Sequence, residues 1–565
     1  MKRTARAGVK PRPAGVVVGA EGRTAWLTRP AWGNPHVLLI GATRAGKSRR
    51  VILPTVWALG HARESLVLSD PKGELYAMTV AWLRSEGYEV VLLDLLRPTR
   101  GSRWNPFAAI VTAHEAGDAE QASKLAWDFG NVLAYGVDVS GGDPIWPQAE
   151  ESLLAALALA TALEAPEGCR HPATAYELLT TLGPADEEGG SPLDDLFRSL
   201  PSGHPARRAY GTAALSESRT RASIFTGTSA HLRLFGEPGI AWLTGASEHD
   251  PAEAGRKPMA IFLLLPDEGG ARNALAALYI AQMYSALGNL AREHGGRLPT
   301  PVWFLLDEFG NIPRIPGMDA KLTVAAGRGI RFVLALQDLA QLKKYGDGSQ
   351  TITGNCDTWL FLRTADVETA KIVSAKLGAF TVQTSSRSAR LGSVSSQQTM
   401  SESATARPLL TPDEVLRWPT GHSLLIQSGE YPADLPLQDL SAWRSASVAF
   451  QPAPPPQPRP TEPVPTWVPG QEAPTLTDSD PESPAPTEPT PAPDPPASAE
   501  PAPDPIGDDS EDDEDPTLTL TPPEAEPEPP VEHQETPEPG PVPVQVPEPG
   551  RFGRSRGVGR GPREE

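Results

Sequence analysis

Short apolar runs with little polar interruption recur along the chain from about residue 36: HVLLI (36–40), SLVLS (65–69), EVVLL (89–93), AIFLLL (260–265), VWFLL (302–306), RFVLAL (331–336) and TWLFL (358–362). A strand wet on one face alternates apolar and polar positions. These runs do not, so each reads as a strand buried on both faces. Helix-like stretches separate them, and that alternation predicts an α/β fold around a mostly parallel sheet.

The rhythm changes in the middle of the chain. Residues 111–255 carry helical signals such as AEQASKLAWDFGNVL and ESLLAALALATALEA, the second apolar nearly all round, and little that reads as a strand. The expected organisation is a basic flexible N-terminus (1–30), a nucleotide-binding domain in two pieces (31–110 and 256–450) and an all-helical insertion (111–255). The remainder, 451–565, reads as a disordered tail, because its 34 prolines and runs such as GDDSEDDEDP leave too little apolar surface to offset chain entropy. Its last residues, RFGRSRGVGRGPR, turn basic and glycine-rich.

Charge changes the picture once it is counted by region. The net charge of −20 seems to oppose nucleic-acid binding, yet the tail alone holds 25 acidic and 6 basic residues, leaving 45 acidic and 44 basic in the nearly neutral body. The two cysteines, Cys169 and Cys356, lie far apart with no histidine at ligand spacing, which argues against a zinc site or a disulfide scaffold. The basic start lacks an apolar signal region, and LLAALALATAL (153–163) is too short to span a bilayer. No signal peptide or transmembrane helix is expected.

The chemistry concentrates in GATRAGKS, which matches G-x-x-x-x-G-K-[ST] directly after the first strand and before a helix. Gly41, Ala42, Thr43, Arg44, Ala45, Gly46, Lys47 and Ser48 would cradle phosphates with backbone N–H groups and a helix N-terminus. Lys47 would meet the β and γ phosphates and Ser48 would ligate Mg²⁺. VWFLLDEF ends a strand in two acids, with Asp307 as the Mg²⁺ partner and Glu308 as the group that polarises the attacking water. Gln337 closes the next strand and is a candidate γ-phosphate sensor. GRGIR offers Arg328 and Arg331 as arginine fingers toward a neighbouring subunit.

These motifs, taken in order, resemble the TraG/TraD class of type IV secretion coupling proteins, the conjugative DNA-transfer ATPases related to FtsK-like translocases. GATRAGKS is followed by VILPT, SDPKGELY (69–76), NPF (105–107), DPIWPQAEESLLAAL, SESRTRASIFTGTSAHLRLF, LLDEFGNIPRI, GRGIRFVLALQDLAQLKKYG, NCDTWLFLRTADVETAKIVSAKLG and RPLLTPDEVLRWPTGHSLLIQSG. The resemblance covers about residues 30–430. It implies a RecA-like P-loop motor domain interrupted by an all-helical domain, assembled as a homo-hexamer that couples ATP hydrolysis to passage of DNA with its relaxase. It carries nucleotide roles to Lys47, Ser48, Asp307, Glu308 and Gln337, and brings Asp70, Lys72 and Glu74 near the nucleotide face. Family members usually begin with a membrane-spanning portion, whereas only about 35 residues precede the first strand here. A cytoplasmic protein is therefore expected, either recruited to the secretion channel at the inner membrane face by a separate anchoring protein or working as a soluble motor.

Three function classes follow. The leading one is a DNA translocase that binds DNA through phosphates, independently of sequence, with Arg219 and Arg221 as candidate contacts to DNA or relaxase. The second is a nucleotide-switched adaptor that delivers protein cargo without pumping DNA. The third, a metabolic P-loop kinase or ligase, lacks any acceptor-binding motif.

Overall fold

In the computed structural model the described residues are 14–22, 24–28, 34–136, 145–185, 190–266, 270–389 and 398–471. Of two compact units, Met1–Leu520 and Thr521–Glu565, all of them fall in the first. In chain order the strands are β1 (Val17–Glu21), β2 (Thr24–Leu27), β3 (Val37–Gly41), β4 (Ser65–Asp70), β5 (Glu89–Asp94), β6 (Met259–Leu264) and β7 (Val302–Leu306). They continue with β8 (Ile330–Leu336), β9 (Thr358–Arg363), β10 (Ala379–Ala389), β11 (Gln398–Pro408), β12 (His422–Gln427) and β13 (Ala433–Pro436).

All seven apolar runs are strands of one nine-stranded sheet, ordered β13-β12-β9-β3-β8-β7-β4-β6-β5. The pairs from β9 to β5 are parallel, and β12 and β13 add an antiparallel edge. Alternate residues of each strand enter opposite cores. Leu38, Ile40, Phe304, Leu306, Phe332 and Leu334 face one, while Val37, Leu39, Trp303, Leu305, Val333 and Ala335 face the other. Each such side chain, fully buried, stabilises the fold by roughly 1.5–3 kcal/mol. The pleat thus explains why these strands read as unbroken apolar runs.

Among the described residues no strand lies between β5 and β6. That interval is helical, and its long member Ile145–Glu164 is buried nearly all round. Gly130 lets the helix Ala119–Tyr135 approach it, since a Cβ there would stand 2.6 Å from the Glu151 carbonyl. The helical block shares one continuous core with a face of the sheet, through Phe107, Phe129, Ile261 and Leu263. Asn273–Glu293 is long and apolar enough to cross a membrane, but 83% of its apolar window is buried inside the fold.

Two expected boundaries are corrected. Residues 1–13 lie outside the described residues, but β1 and β2, placed above in a flexible N-terminus, form a hairpin turning at Gly22 (φ 56°). It is tied to the body by Val17 N donating to Thr55 Oγ1 (3.0 Å) and Ser423 Oγ to Val18 O (2.5 Å). The expected tail also begins too early. Residues 451–471 are packed in extended form: Ala453 N donates to Ala77 O and Arg459 N to Thr99 O, and Val468 is buried. Apart from a turn in which Gln471 N donates to Val468 O, this proline-rich chain docks by giving N–H groups and apolar side chains to the body. The expectation of disorder for 472–565, and the reading of its basic end, lie outside the described residues.

Candidate functional site

The carboxyl edge of a parallel sheet is where loops leave toward ligands, and four expected segments meet there. Gly41 ends β3. A Cβ on it would lie 2.9 Å from Lys47 Cγ, so the lysine stem requires glycine at that point. The loop turns through left-handed backbone at Arg44 (φ 65°) and Gly46 (φ 93°), and Ala42 N is held by Arg363 O of β9 at 2.8 Å. The following helix opens as a π-helical segment, Lys47–Ile52, before continuing as Leu53–Ala62. Such widened turns recur at functional sites.

Lys47 is buried, and its Nζ donates to Gly41 O (2.8 Å) and pairs with Glu308 Oε1 (3.1 Å). The other Glu308 oxygen accepts from Gln337 Nε2 (3.1 Å), whose Oε1 accepts from Thr43 Oγ1 (3.4 Å). Ser48 Oγ donates to Asp307 Oδ2 at 2.6 Å. Lys47, Ser48, Asp307, Glu308 and Gln337, scattered over 291 positions of sequence, thus meet at one edge in two bonded sets, Lys47–Glu308–Gln337 and Ser48–Asp307. Glu308 adopts φ 55° and ψ 47°, left-handed backbone that a non-glycine residue occupies at a cost.

Asp307 is buried. Burial pushes its carboxyl above the usual range, against the pull of the Ser48 hydrogen bond and the Lys47 charge. Its Oδ1 is buried with no hydrogen-bond partner. An orphaned carboxylate oxygen beside a serine hydroxyl is a hard-oxygen pair that fits Mg²⁺, a cation that takes one or two protein ligands and fills its shell with water and phosphate. Among the described residues no group of three His, Cys, Asp or Glu could hold a metal, and Cys169 and Cys356 are buried and free.

Asp70 accepts from Tyr76 N (2.8 Å) in the first turn of the helix Glu74–Ser85, whose N-cap is Gly73; burial raises its pKa to about 6, with Asp307 adding to the rise. Lys72 and Glu74 are exposed. The DPKGE segment is therefore a helix-initiating turn whose aspartate stands near Asp307.

The arginines separate. Arg331 begins β8, opposite Trp303 at the amino edge, and six residues of strand put it roughly 20 Å from Gln337. It is buried, paired with Glu64 Oε2 (2.8 Å) and lies over the Trp303 ring (4.9 Å). Within its own subunit Arg331 holds Glu64, and reaching a neighbouring subunit would withdraw the guanidinium from that carboxylate. Arg328, at the same edge, lies over Tyr284 (5.9 Å) without a carboxylate partner among the described residues. Arg219 is exposed, whereas Arg221 pairs with the buried Asp194 (3.4 Å).

Three contributors escaped the sequence reading. Ser69 Oγ donates to Asp307 O (2.6 Å). Gln341 Oε1 accepts from Gln337 N (2.9 Å). Lys344 sits beneath the turn that follows Glu308. The signal for Gln341 was its spacing, four residues after Gln337 in QDLAQ.

Comparison with known proteins agrees with this geometry. The chain is 28% identical to a conjugal transfer protein TraG of Escherichia coli, over 72% of this chain and 66% of the relative. It is 24% identical to protein VirD4 of Rhizobium rhizogenes, over 71% and 58%. The chain thus spans about two thirds or less of the length of these curated relatives. Its fold matches the bacterial conjugative coupling protein TrwBdeltaN70 in an unbound form, with a TM-score of 0.52 and 17% identity over 71% of this chain and 84% of that one. It also matches plasmid coupling protein TrwB in complex with a non-hydrolysable ATP analogue, with a TM-score of 0.54 and 17% identity over 76% and 90%. These matches show a shared fold. The family model described as type IV secretory system conjugative DNA transfer matches residues 3–435, and the chain belongs to that family.

Proposed function

We propose that the chain is an ATP-hydrolysing coupling protein that drives DNA, with bound relaxase, toward a type IV secretion channel. The observation that carries this reading is the Glu308 carboxylate, held between Lys47 and Gln337 one residue from the orphaned Asp307 oxygen. A nucleotide-switched adaptor needs Lys47, Ser48 and Asp307 to bind; a poised second carboxylate is what a hydrolytic motor adds.

Ser48 and Asp307 would hold Mg²⁺, which supplies charge neutralisation for the phosphates when bound. Lys47 gives up its contact with Glu308 to meet the β and γ phosphates. The freed Glu308 carboxylate then takes the proton of the attacking water, and Gln337, hydrogen-bonded to it, senses whether the γ-phosphate is present. Assembly as a homo-hexamer would set a neighbour's arginine at this edge, and Arg328 is the better of the two candidates because Arg331 is committed to Glu64. DNA is held through its phosphates without regard to sequence, and a membrane-anchoring partner and the channel complete the set.

Phosphate release measured with and without single- and double-stranded DNA, with oligomeric state followed alongside, tests the reading. DNA should stimulate release. Tight nucleotide binding with no release under any condition would return the adaptor to favour.

A further inference from the structure

Lys344 is a half-buried cation without a carboxylate partner among the described residues. It lies in the 3-10 segment Leu339–Tyr345 that follows Gln337. Its Nζ donates to Phe309 O (3.2 Å), Gly310 O (3.0 Å) and Ile312 O. The rings of Phe309 (5.3 Å) and Tyr345 (5.6 Å) close over the ammonium. All three acceptors belong to the turn that Glu308 opens in its left-handed conformation and that Phe309–Asn311 continue as a 3-10 turn.

Burying an ammonium without a counter-ion opposes folding, and a methionine would fill the same space without that cost. What methionine lacks is three donors for three carbonyls. The same segment braces Gln337: Gln341 accepts from Gln337 N, and its amide lies so close to Gly310 that a Cβ there would stand 2.3 Å away. Leu339–Tyr345 thus grips both Gln337, which donates to the Glu308 carboxylate, and the turn that follows Glu308 in the chain.

We propose that Lys344 is a positioning residue for Glu308: its three hydrogen bonds lock the Phe309–Ile312 turn and so hold Glu308 in the backbone conformation that presents its carboxylate to Lys47 and Gln337. The inference rests on the hydrolytic reading above for its consequence in turnover, and on the turn geometry alone for its consequence in structure.

Burial lowers the Lys344 pKa from 10.5 to about 8. The titratable groups around it are few. Glu308 is engaged by Lys47 and Gln337. Arg314, Lys343 and Asp347 are exposed. Asp366 caps its own helix at Thr369, and the Tyr345 hydroxyl, held far above its ordinary value by burial, accepts from Ile315 N. Below about pH 8 the ammonium supplies all three donors; above it the neutral amine has two N–H groups for three carbonyls. Turnover should fall as pH rises through that value. Stability should move the opposite way: a lysine whose folded pKa lies below its unfolded one destabilises the fold while charged, and that cost fades between about pH 8 and 10.5.

The test uses the full chain and compares the native protein with K344M, K344R and E308Q. K344M should lower kcat by roughly 10- to 100-fold, the scale of an ångström-sized misplacement of a catalytic group. Nucleotide affinity should stay native and the alkaline limb near pH 8 should vanish. K344R, always charged, should recover much of the rate and push that limb upward. A K344M protein with native kcat and an unchanged limb overturns the proposal. Should K344M fail to fold, a K344R profile with its limb still at the native position overturns it equally. Amide hydrogen exchange across Phe309–Ile312 separates this inference from the hydrolytic reading. If native protein and E308Q release phosphate alike, the assigned base is wrong, yet faster exchange of that turn in K344M still supports the lock, and native exchange rates in K344M refute it.

Discussion

The two edges of the sheet handle buried charge in opposite ways. At the amino edge, Glu64 Oε2 accepts from both Arg331 and Trp303 Nε1, and the guanidinium rests on the indole ring. At the carboxyl edge, among the described residues, Asp307 keeps an oxygen without a partner, Glu308 sits in left-handed backbone, and Lys344 carries a charge with no carboxylate counter-ion. A fully satisfied polar cluster fixes how neighbouring elements meet. An unsatisfied one is kept at a cost, and such costs gather where a ligand completes the set. The contrast locates the working edge independently of any motif.

The sharpest way to break that contrast is at the carboxyl edge. Lys47→Ala should abolish nucleotide binding and turnover together, since the phosphates lose their only buried cation in the loop. Glu308→Gln should leave nucleotide affinity near native while slowing turnover by about 10²- to 10⁴-fold, the usual worth of a general base. Native turnover in that variant would mean another group takes the proton. At the amino edge the expected signature is reversed. Arg331→Ala should cost up to about 3 kcal/mol in denaturant unfolding by leaving the half-buried Glu64 without a counter-charge, only its bond to Trp303 remaining, with turnover per folded molecule unchanged. Arg331→Met combined with Glu64→Gln should recover most of that loss. Lost turnover at native stability would instead return Arg331 to a role in a neighbouring site.

How much of this was legible depends on whether the physics is local. The seven core strands were, because burial on both faces writes an unbroken apolar run. The loop at Gly41–Ser48 and the acids at 307 and 308 were, because strand ends fix their place. The edge on which Arg331 lies was legible too: in a parallel sheet a residue near the start of a strand lies at the edge opposite the one where Gln337 closes it, but its pairing with Glu64 was not. The hairpin β1–β2 was written in VVVGAEGRTAWL, two apolar runs around a glycine turn, but the basic start drew attention away. Lys344 was not legible. Nothing in QLKKYG distinguishes it from exposed Lys343 until Phe309 and Tyr345 fold over one of them.

A pH measurement sharpens the comparison further, with a smaller effect. The Asp70 pKa is raised to about 6, by burial first and the nearby Asp307 as well, against 3.8 when unperturbed. Because the folded value lies above the unfolded one, its stabilising contribution is full below about pH 4 and is lost as pH rises through about 6. Asp70→Asn keeps an oxygen for Tyr76 N while removing the charge. It should gain about 1–3 kcal/mol at pH 7.5 and little at pH 4. Denaturant midpoints at the two pH values would show it, and a difference that does not change with pH would remove Asp70 from the strained set.

The smallest effect is expected at the packed arm 451–471, which follows the logic of the amino edge because its polar groups are satisfied. Arg459 pairs with Glu248 through two nitrogens (2.8 and 3.0 Å), donates to Gly101 O and lies over Trp242 (4.6 Å). Val464 fits against Gly245, and Pro465 O meets the His171 ring at 2.9 Å. The Arg459–Glu248 pair is substantially solvent-exposed, so screening discounts it, and Arg459→Ala should cost only about 1 kcal/mol, ion pair and ring contact together. Truncation after residue 471 should leave the unfolding midpoint and turnover native. Truncation after residue 450 should lower the midpoint while sparing turnover, because the arm touches neither Lys47 nor the acids at 307 and 308. Equal stability of the two truncations would mean the arm adds nothing to the fold. Lost turnover in the longer deletion alone would tie the arm to the working edge and erase the division between satisfied and unsatisfied regions on which these expectations stand.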